Sequence, residues 1–201
     1  MNIIIKIFFF LALLLLSPLI ILIMVIVYFE DGLPVIFIQK RLGINKQVID
    51  LYKIRTMKNS TPNVGTHEIN ESSLLASGNL LRITKIDELP QIINFIKGEI
   101  SIVGPRPGLP NQFELNKFRE SFGIFQISPG ITGLSQVLGY DMSNPELLAR
   151  IDRLYIEKKT VKLDLMIFIS TFLSFFRKYI RHYFKKEIMS IHKEMGIKSS
   201  V

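Results

Sequence analysis

An uncharged apolar run, residues 7–29, constrains this chain more than any other stretch. As a helix it is long enough to cross a hydrocarbon core of about 30 Å, and a helix satisfies its own backbone groups in lipid. Ser17-Pro18 stands in the middle of the run. Proline there removes a backbone donor and bends a helix, and the neighbouring hydroxyl can occupy the carbonyl left over. Two topologies stay open at this point: a simple span, or a re-entrant hairpin that enters and leaves by one face. Lys6 lies before the run and Lys40, Arg41, Lys46 and Lys53 lie after it. Positive flanks favour the cytoplasmic side, so a hairpin satisfies both ends at once. A cleaved leader fits poorly, because the run is too long and no small-residue cleavage site follows it.

The chain of 201 residues is otherwise long enough for one folded domain with a core. It has no cysteine, which excludes a disulfide framework, thiolate catalysis and cysteine-ligated metal. Its 25 Lys+Arg against 17 Asp+Glu give +8, a balance that favours anionic partners: a membrane surface, nucleic acid or phosphorylated small molecules. Residues 34–39 and 48–52 read as short strands joined across Gly43 and Asn45. If strand alternation continues, Lys53 and Arg55 share a face where two cations could meet a phosphate, or where they are simply solvated. Residues 59–77 are rich in Ser, Thr, Asn, Pro and Gly and read as a loop, with a short helical turn over 74–81.

The densest chemistry lies at residues 82–107. Leu89, Ile92, Ile93 and Ile96 recur at helical spacing, and Lys97-Gly98 is a helix stop. The spacing predicts a helix of about ten residues with Asp87 and Glu88 at its mouth. Asp87 could be an N-cap there; it could also be a reactive carboxylate. Gly104-Pro105-Arg106-Pro107 follows. Beyond it, residues 111–122 place Phe113, Phe118 and Phe122 among charges, as core or as an interfacial amphipathic helix. Residues 128–133 (Ser-Pro-Gly-Ile-Thr-Gly) read as a backbone-controlled loop built for close approach to a ligand. A charged helix is expected over 145–159. An apolar segment over 163–176 is too short to span and carries Asp164, which suits core or interface. Arg177, Lys178, Arg181, Lys185 and Lys186 form a basic tail suited to anionic lipid.

Taken together, these blocks resemble the monotopic phosphoglycosyl transferases of the bacterial sugar transferase family, in their small catalytic-core form. The resemblance covers roughly residues 6 to 176. It rests on Asp87-Glu88-Leu89-Pro90-Gln91, the run from Lys97 to Pro107, Pro129-Gly130-Ile131-Thr132-Gly133-Leu134, Tyr52-Lys53-Ile54-Arg55-Thr56-Met57 and the Ser17-Pro18 break. It implies an α+β chain: a re-entrant membrane helix hairpin over 1–30, a mostly helical catalytic domain over 31–176 with a short β-hairpin and interfacial amphipathic helices, and a basic tail over 177–201. The implied reaction moves a phosphosugar from a UDP-sugar to a polyprenol phosphate (undecaprenyl phosphate), releasing UMP, at the cytoplasmic face of the bacterial inner membrane. It would be the first membrane step of a glycan pathway, handing its product to downstream glycosyltransferases. In such enzymes the aspartate of the pair is the nucleophile, which falls on Asp87, with Glu88 beside it and Mg²⁺ as cofactor.

Elementary chemistry agrees. A carboxylate attacking a diphosphate needs cations at the phosphates. Magnesium held by the oxygens of Asp87 and Glu88 supplies one. Lys53, Arg55, Arg82 and Arg106, the last locked between Pro105 and Pro107, are candidates for the rest. A helix mouth at Asp87 would add backbone donors. The chain departs from the family pattern at Ser135, where an aromatic is common, and at Tyr140, where arginine is usual; before the apolar run only Lys6 stands where a basic-acidic pair is usual. The competing reading is an inactive scaffold of the same fold. A nucleic-acid binder is set aside, because the charges are dispersed and no motif of that class is present.

Overall fold

The computed structural model describes residues 3–61 and 73–197. Part of the loop expected over 59–77, and the end of the expected tail, lie outside the described residues. The architecture is mixed, mainly helical with a few strands, and it divides into two compact units. The first comprises residues 1–41 and 49–99, the second residues 42–48 and 100–201.

In the first unit, α1 (Ile3–Asp31) runs without interruption through Pro18. The expected hairpin is not shown. Pro18 cannot donate to the carbonyl of Leu14, and Ser17 Oγ donates to that carbonyl at 2.7 Å instead. One lost bond is thus replaced locally, and the helix continues. Along most of α1 large side chains are exposed, Phe8, Leu11 and Leu15 among them. Ile20, Ile23 and Val27 form one buried stripe that packs with Ile54, Leu75 and Leu81. The apolar helix is therefore also a core element.

Strands β1 (Ile36–Leu42) and β2 (Val48–Ile54) pair as the expected two-stranded sheet. Helix α2 (Gly78–Thr84) starts later than the turn expected at 74, and a 3-10 turn follows over Ile86–Glu88. Helix α3 (Gln91–Lys97) stops at Gly98, whose φ of 85° is left-handed as a glycine stop requires. Asn94 ties α3 to β2: its Oδ1 accepts from Tyr52 N at 3.2 Å and its Nδ2 donates to Asp50 O at 2.7 Å.

In the second unit, β3 (Ser101–Val103) and β4 (Gly130–Thr132) pair in parallel, with Ser101 opposite Gly130 and Val103 opposite Thr132. The supposed ligand loop over 128–133 is thus partly strand. Its glycines let backbone approach backbone: a Cβ on Gly130 would strike Gly104 N, and one on Gly133 would strike Gly104 O. Helices α4 (Phe113–Ser121), α5 (Leu134–Leu138), α6 (Pro145–Lys158) and α7 (Val161–Phe172) follow. Asn144 caps α6, accepting from Leu147 N at 3.0 Å, and Thr160 caps α7, accepting from Leu163 N at 3.1 Å. Phe118 and Phe122 pack on Leu115, Leu148 and Ala149, while Phe113 is exposed.

The chain after residue 177 is no tail. It forms α8 (Ser174–Tyr183) and α9 (Lys185–Glu194), and Ile180, Phe184 and Ile188 join the core built by α5, α6 and α7. The spacing of these three apolar residues by four is the reason: they form one helical stripe amid the cations. Arg177 donates to Ser170 O at 2.9 Å and to Thr171 O at 3.0 Å, and Arg181 donates to Leu138 O at 2.9 Å. Two of the five cations thus close helix ends, and Lys178, Lys185 and Lys186 remain exposed.

Gly130→Ala forces a methyl into the Gly104 backbone, which no side-chain rotation relieves. It should destabilise the protein by on the order of 2 kcal/mol or more, read as a lower thermal midpoint in detergent or nanodiscs. A midpoint equal to wild type would mean that β3 and β4 need no such close approach.

Candidate active site

The site grows from the turn between α2 and α3. Lys85 takes a left-handed conformation, with φ of 60°, and turns the chain so that Asp87 and Glu88 face inward on a single 3-10 turn. Both are buried, at 6% and 9% exposure. The N-cap reading of Asp87 is not what the structure has: neither the 3-10 turn nor α3 carries a side-chain cap bond. Helix α3 starts at Gln91 and is shorter than the periodicity predicts, because Leu89 and Pro90 belong to the approach and not to the helix. Asp87 therefore lies ahead of the helix rather than at its mouth.

Asp87 Oδ1 is buried and accepts no hydrogen bond from the described residues. A buried acceptor without a donor is costly in a fold and marks a place where something else binds or reacts. Burial pushes the Asp87 carboxyl above its ordinary range, and the neighbouring Glu88 charge adds to this. Lys53, Lys85 and Arg82 pull the other way. Lys53, brought in by β2, pairs with Glu88 Oε1 at 2.9 Å. Arg82 reaches in from α2, its Nε donating to Thr56 Oγ1 at 2.9 Å. Burial lowers the Arg82 pKa, against the pull of Asp87. Four of the expected residues thus share one place: Asp87, Glu88, Lys53 and Arg82.

Arg55 is committed elsewhere. It pairs with Asp31 at 3.3 Å, donates to the carbonyls of Asp31 and Gly32 at 3.0 and 2.9 Å, and bonds the Asn59 side chain. These contacts close the end of α1. Gln91 and Thr56 are buried polar residues at this place that residue-level reading did not assign a role. The signal for Gln91 was its position directly after the apolar Leu-Pro pair, and its Nε2 is a buried donor without a partner among the described residues.

Among the described residues no three His, Asp or Glu side chains gather as a metal cage. Asp87 and Glu88 still suit magnesium, which keeps several waters and takes its remaining oxygens from substrate phosphates. The unpartnered Oδ1 is the atom that fits such an ion.

Arg106 belongs to the second unit, in the loop after β3, where Pro105, Arg106 and Pro107 border a shallow cleft with Leu42, Phe125 and Ile127. Its main-chain oxygen accepts from Arg119 Nη1 at 2.8 Å. Arg119 and Asp152 form a buried ion pair at 2.6 Å that residue-level reading missed. The available sign was a charge on an apolar stripe: Arg119 continues Leu115 on α4, and Asp152 lies beside Leu148, Ile151 and Tyr155 on α6. Ser135 and Tyr140, two of the three departures, are structural as well. Ser135 Oγ donates to Asp152 Oδ1 at 2.9 Å, and Tyr140 OH lies 3.4 Å from His192 Nε2.

A buried carboxylate with one oxygen unpartnered among the described residues thus lies in the field of Lys53, Lys85 and Arg82. Comparison with known proteins gives the family. The family model for bacterial sugar transferases matches residues 2–178. The uncharacterized sugar transferase EpsL of Bacillus subtilis (strain 168) is 36% identical over 146 residues, 73% of this chain and 72% of that protein. The exopolysaccharide production protein ExoY of Rhizobium meliloti (strain 1021) is 34% identical over 165 residues, again 73% and 72%. The UDP-glucose:undecaprenyl-phosphate glucose-1-phosphate transferase of Escherichia coli (strain K12) is 34% identical over 155 residues, 72% of this chain but 33% of that longer protein. The chain belongs to the bacterial sugar transferase family and is a phosphoglycosyl transferase. Helix α9 lies beyond the matched residues.

The raised Asp87 pKa has a stability consequence whose sign is fixed. The folded state holds this proton more tightly than the unfolded chain, so its contribution is full below the ordinary carboxyl pKa and is lost as pH rises through the raised value. Asp87→Asn cannot ionise. Its thermal midpoint should match wild type at acidic pH and exceed it at neutral pH, while turnover disappears. A variant that is less stable than wild type at neutral pH would mean that the Asp87 charge is a net support of the fold.

Proposed function

We propose that this phosphoglycosyl transferase moves a sugar phosphate from a UDP-sugar to undecaprenyl phosphate, with Asp87 as nucleophile. The observation that carries the reading is Asp87 itself: buried, with a free carboxylate oxygen, among Lys53, Arg82 and Glu88. The printed names of the Escherichia coli relative and of an Aeromonas hydrophila N-acetylgalactosaminephosphotransferase, 30% identical over 155 residues, supply the substrate class.

An Asp87 carboxylate oxygen attacks the phosphorus that bears the sugar. The bond from that phosphorus to the bridging oxygen breaks, and its electron pair leaves with UMP. The sugar phosphate is then an acyl phosphate on Asp87. A phosphate oxygen of undecaprenyl phosphate attacks the same phosphorus in the second step and returns the carboxylate. Lys53 and Arg82 offset charge as it shifts to the leaving oxygens, and the nearly dry surroundings strengthen that effect. Glu88, paired with Lys53, would take the acceptor's proton. Magnesium, held by Asp87 and Glu88 when bound, would neutralise the diphosphate. Arg106 is proposed as a further phosphate ligand, by its planar fork.

The anchor fits a lipid acceptor. Among the described residues one helix is long and apolar enough to cross a membrane, which supports membrane association. We infer a bend at Ser17-Pro18 that keeps both ends on the cytoplasmic side of the inner membrane, where UDP-sugars are available. The exposed lysines of α8 and α9 would face anionic headgroups. The product, a lipid diphosphate sugar, is an acceptor for downstream glycosyltransferases.

Incubation with a UDP-sugar and magnesium, without lipid acceptor, should give a single-turnover burst of UMP and an adduct on the Asp87 peptide by mass spectrometry after rapid quenching. Asp87→Asn should lose both. UMP release that strictly requires the lipid would point to single displacement, and no release with any UDP-sugar would leave the inactive-scaffold reading.

Topology is tested separately. A cysteine at position 2 should resist an impermeant thiol reagent on whole cells, and Pro18→Leu should let part of the population become labelled by straightening the helix. Labelling of the parent cysteine protein from outside would establish a full span.

A further inference from the structure

The second unit holds a buried polar network whose outermost bond is its most informative one. Arg119 on α4, Asp152 on α6 and Ser135 on α5 are 3%, 1% and 0% exposed. Asp152 Oδ2 accepts from Arg119 Nε at 3.1 Å and Nη2 at 2.6 Å, and its Oδ1 accepts from Ser135 Oγ at 2.9 Å. Burial raises the Asp152 pKa, and Arg119 opposes that shift. The guanidinium has one nitrogen left. Nη1 donates to the main-chain oxygen of Arg106 at 2.8 Å, and a Cβ on Gly108 would sit 3.1 Å from the same Nη1.

An ion pair kept only for stability has no need of this geometry. Buried pairs are often replaceable by apolar side chains of similar volume at no loss of stability. What an apolar pair cannot do is hold a carbonyl of a particular loop residue. Here the carbonyl belongs to the one arginine between two prolines, and the rest of that loop is strapped in the same way. Gln112 Oε1 accepts from Leu109 N at 2.8 Å, and Asn116 Nδ2 donates to Leu109 O at 3.0 Å. Prolines at 105 and 107 already restrict the loop backbone. The Arg119 bond then fixes the peptide between them, so that the Arg106 side chain leaves the backbone in one direction.

We propose that Arg119, oriented by Asp152 and Ser135, is a positioning residue that holds the Arg106 backbone for phosphate binding. This rests on the role given above to Arg106 in binding the UDP-sugar. Arg119 touches no substrate; it acts through the loop.

The test uses the full chain in nanodiscs and compares wild type, Arg119→Lys and the double variant Arg119→Met/Asp152→Leu. Lysine keeps the charge beside Asp152 but cannot serve both partners. The double variant removes the charges together, leaving no unpaired ion. Three quantities are read: thermal midpoint, amide hydrogen exchange over 104–109, and kcat and KM for UMP release. The double variant should keep a midpoint near wild type, exchange at least tenfold faster at the amides of Arg106 and Gly108, and lose at least tenfold in kcat/KM, mostly through KM for the UDP-sugar. Arg119→Lys should show the same loop and kinetic changes. Unchanged loop exchange overturns the proposal whatever the kinetics, and so does a fast-exchanging loop with wild-type kcat/KM. If the double variant does not fold, Arg119→Lys decides by the same two readings. A wild type that releases no UMP would instead sink the functional reading, and loop exchange alone would then decide whether Arg119 holds the Arg106 peptide.

Discussion

The buried charge at Asp87 is the constraint on which the first unit depends. A carboxylate taken out of water is unfavourable unless cations or donors answer it. Here the answer is partial: Lys53 is shared with Glu88, Arg82 is itself desolvated, and one oxygen of Asp87 has no donor among the described residues. A fold optimised for stability would complete that set. Incomplete compensation is a local cost, and the surrounding packing must supply the stability lost there.

That packing explains why the apolar helix is more than an anchor. Its exposed residues suit lipid, yet Ile20, Ile23 and Val27 complete the core beneath α2 and β2. Arg55 fastens the same helix end, through Asp31 and Gly32, one strand residue beyond Ile54. A cation expected at the substrate is thereby also bound to the end of α1. The likeness between structural and functional cations is electrostatic, and only their neighbours separate them.

The second unit solves a different problem, that of presenting a loop. Glycines at 104, 130 and 133 let β3 and β4 approach without side chains between them. The loop between β3 and α4 is then fixed by side chains of α4 itself and by the ion pair to α6. Helices α7, α8 and α9 close the core from the other side, with Tyr155 OH donating to Asp164 at 2.7 Å to satisfy the acid inside the apolar segment.

Much of this was legible from residues alone, for reasons that are local. Apolar length marked α1, glycine and lysine marked the end of α3, the charged run from Pro145 marked α6, and the ordered motif blocks identified the family. Each is a property of adjacent residues or of one helical period. The roles of individual cations were not legible, because a strand's alternation places Lys53 and Arg55 on a face without stating what meets that face. The same holds for residues 177–194, whose composition reads as a basic tail until partners for Ile180, Phe184 and Ile188 exist. What the sequence by itself determined is which segments are apolar, where they turn, and that Asp87 keeps the company of a transferase motif. What only tertiary structure decided is which charges are paired, which carboxylate oxygen is left without a donor, and which arginine holds another in place, since pairing and burial are relations between segments far apart in the chain.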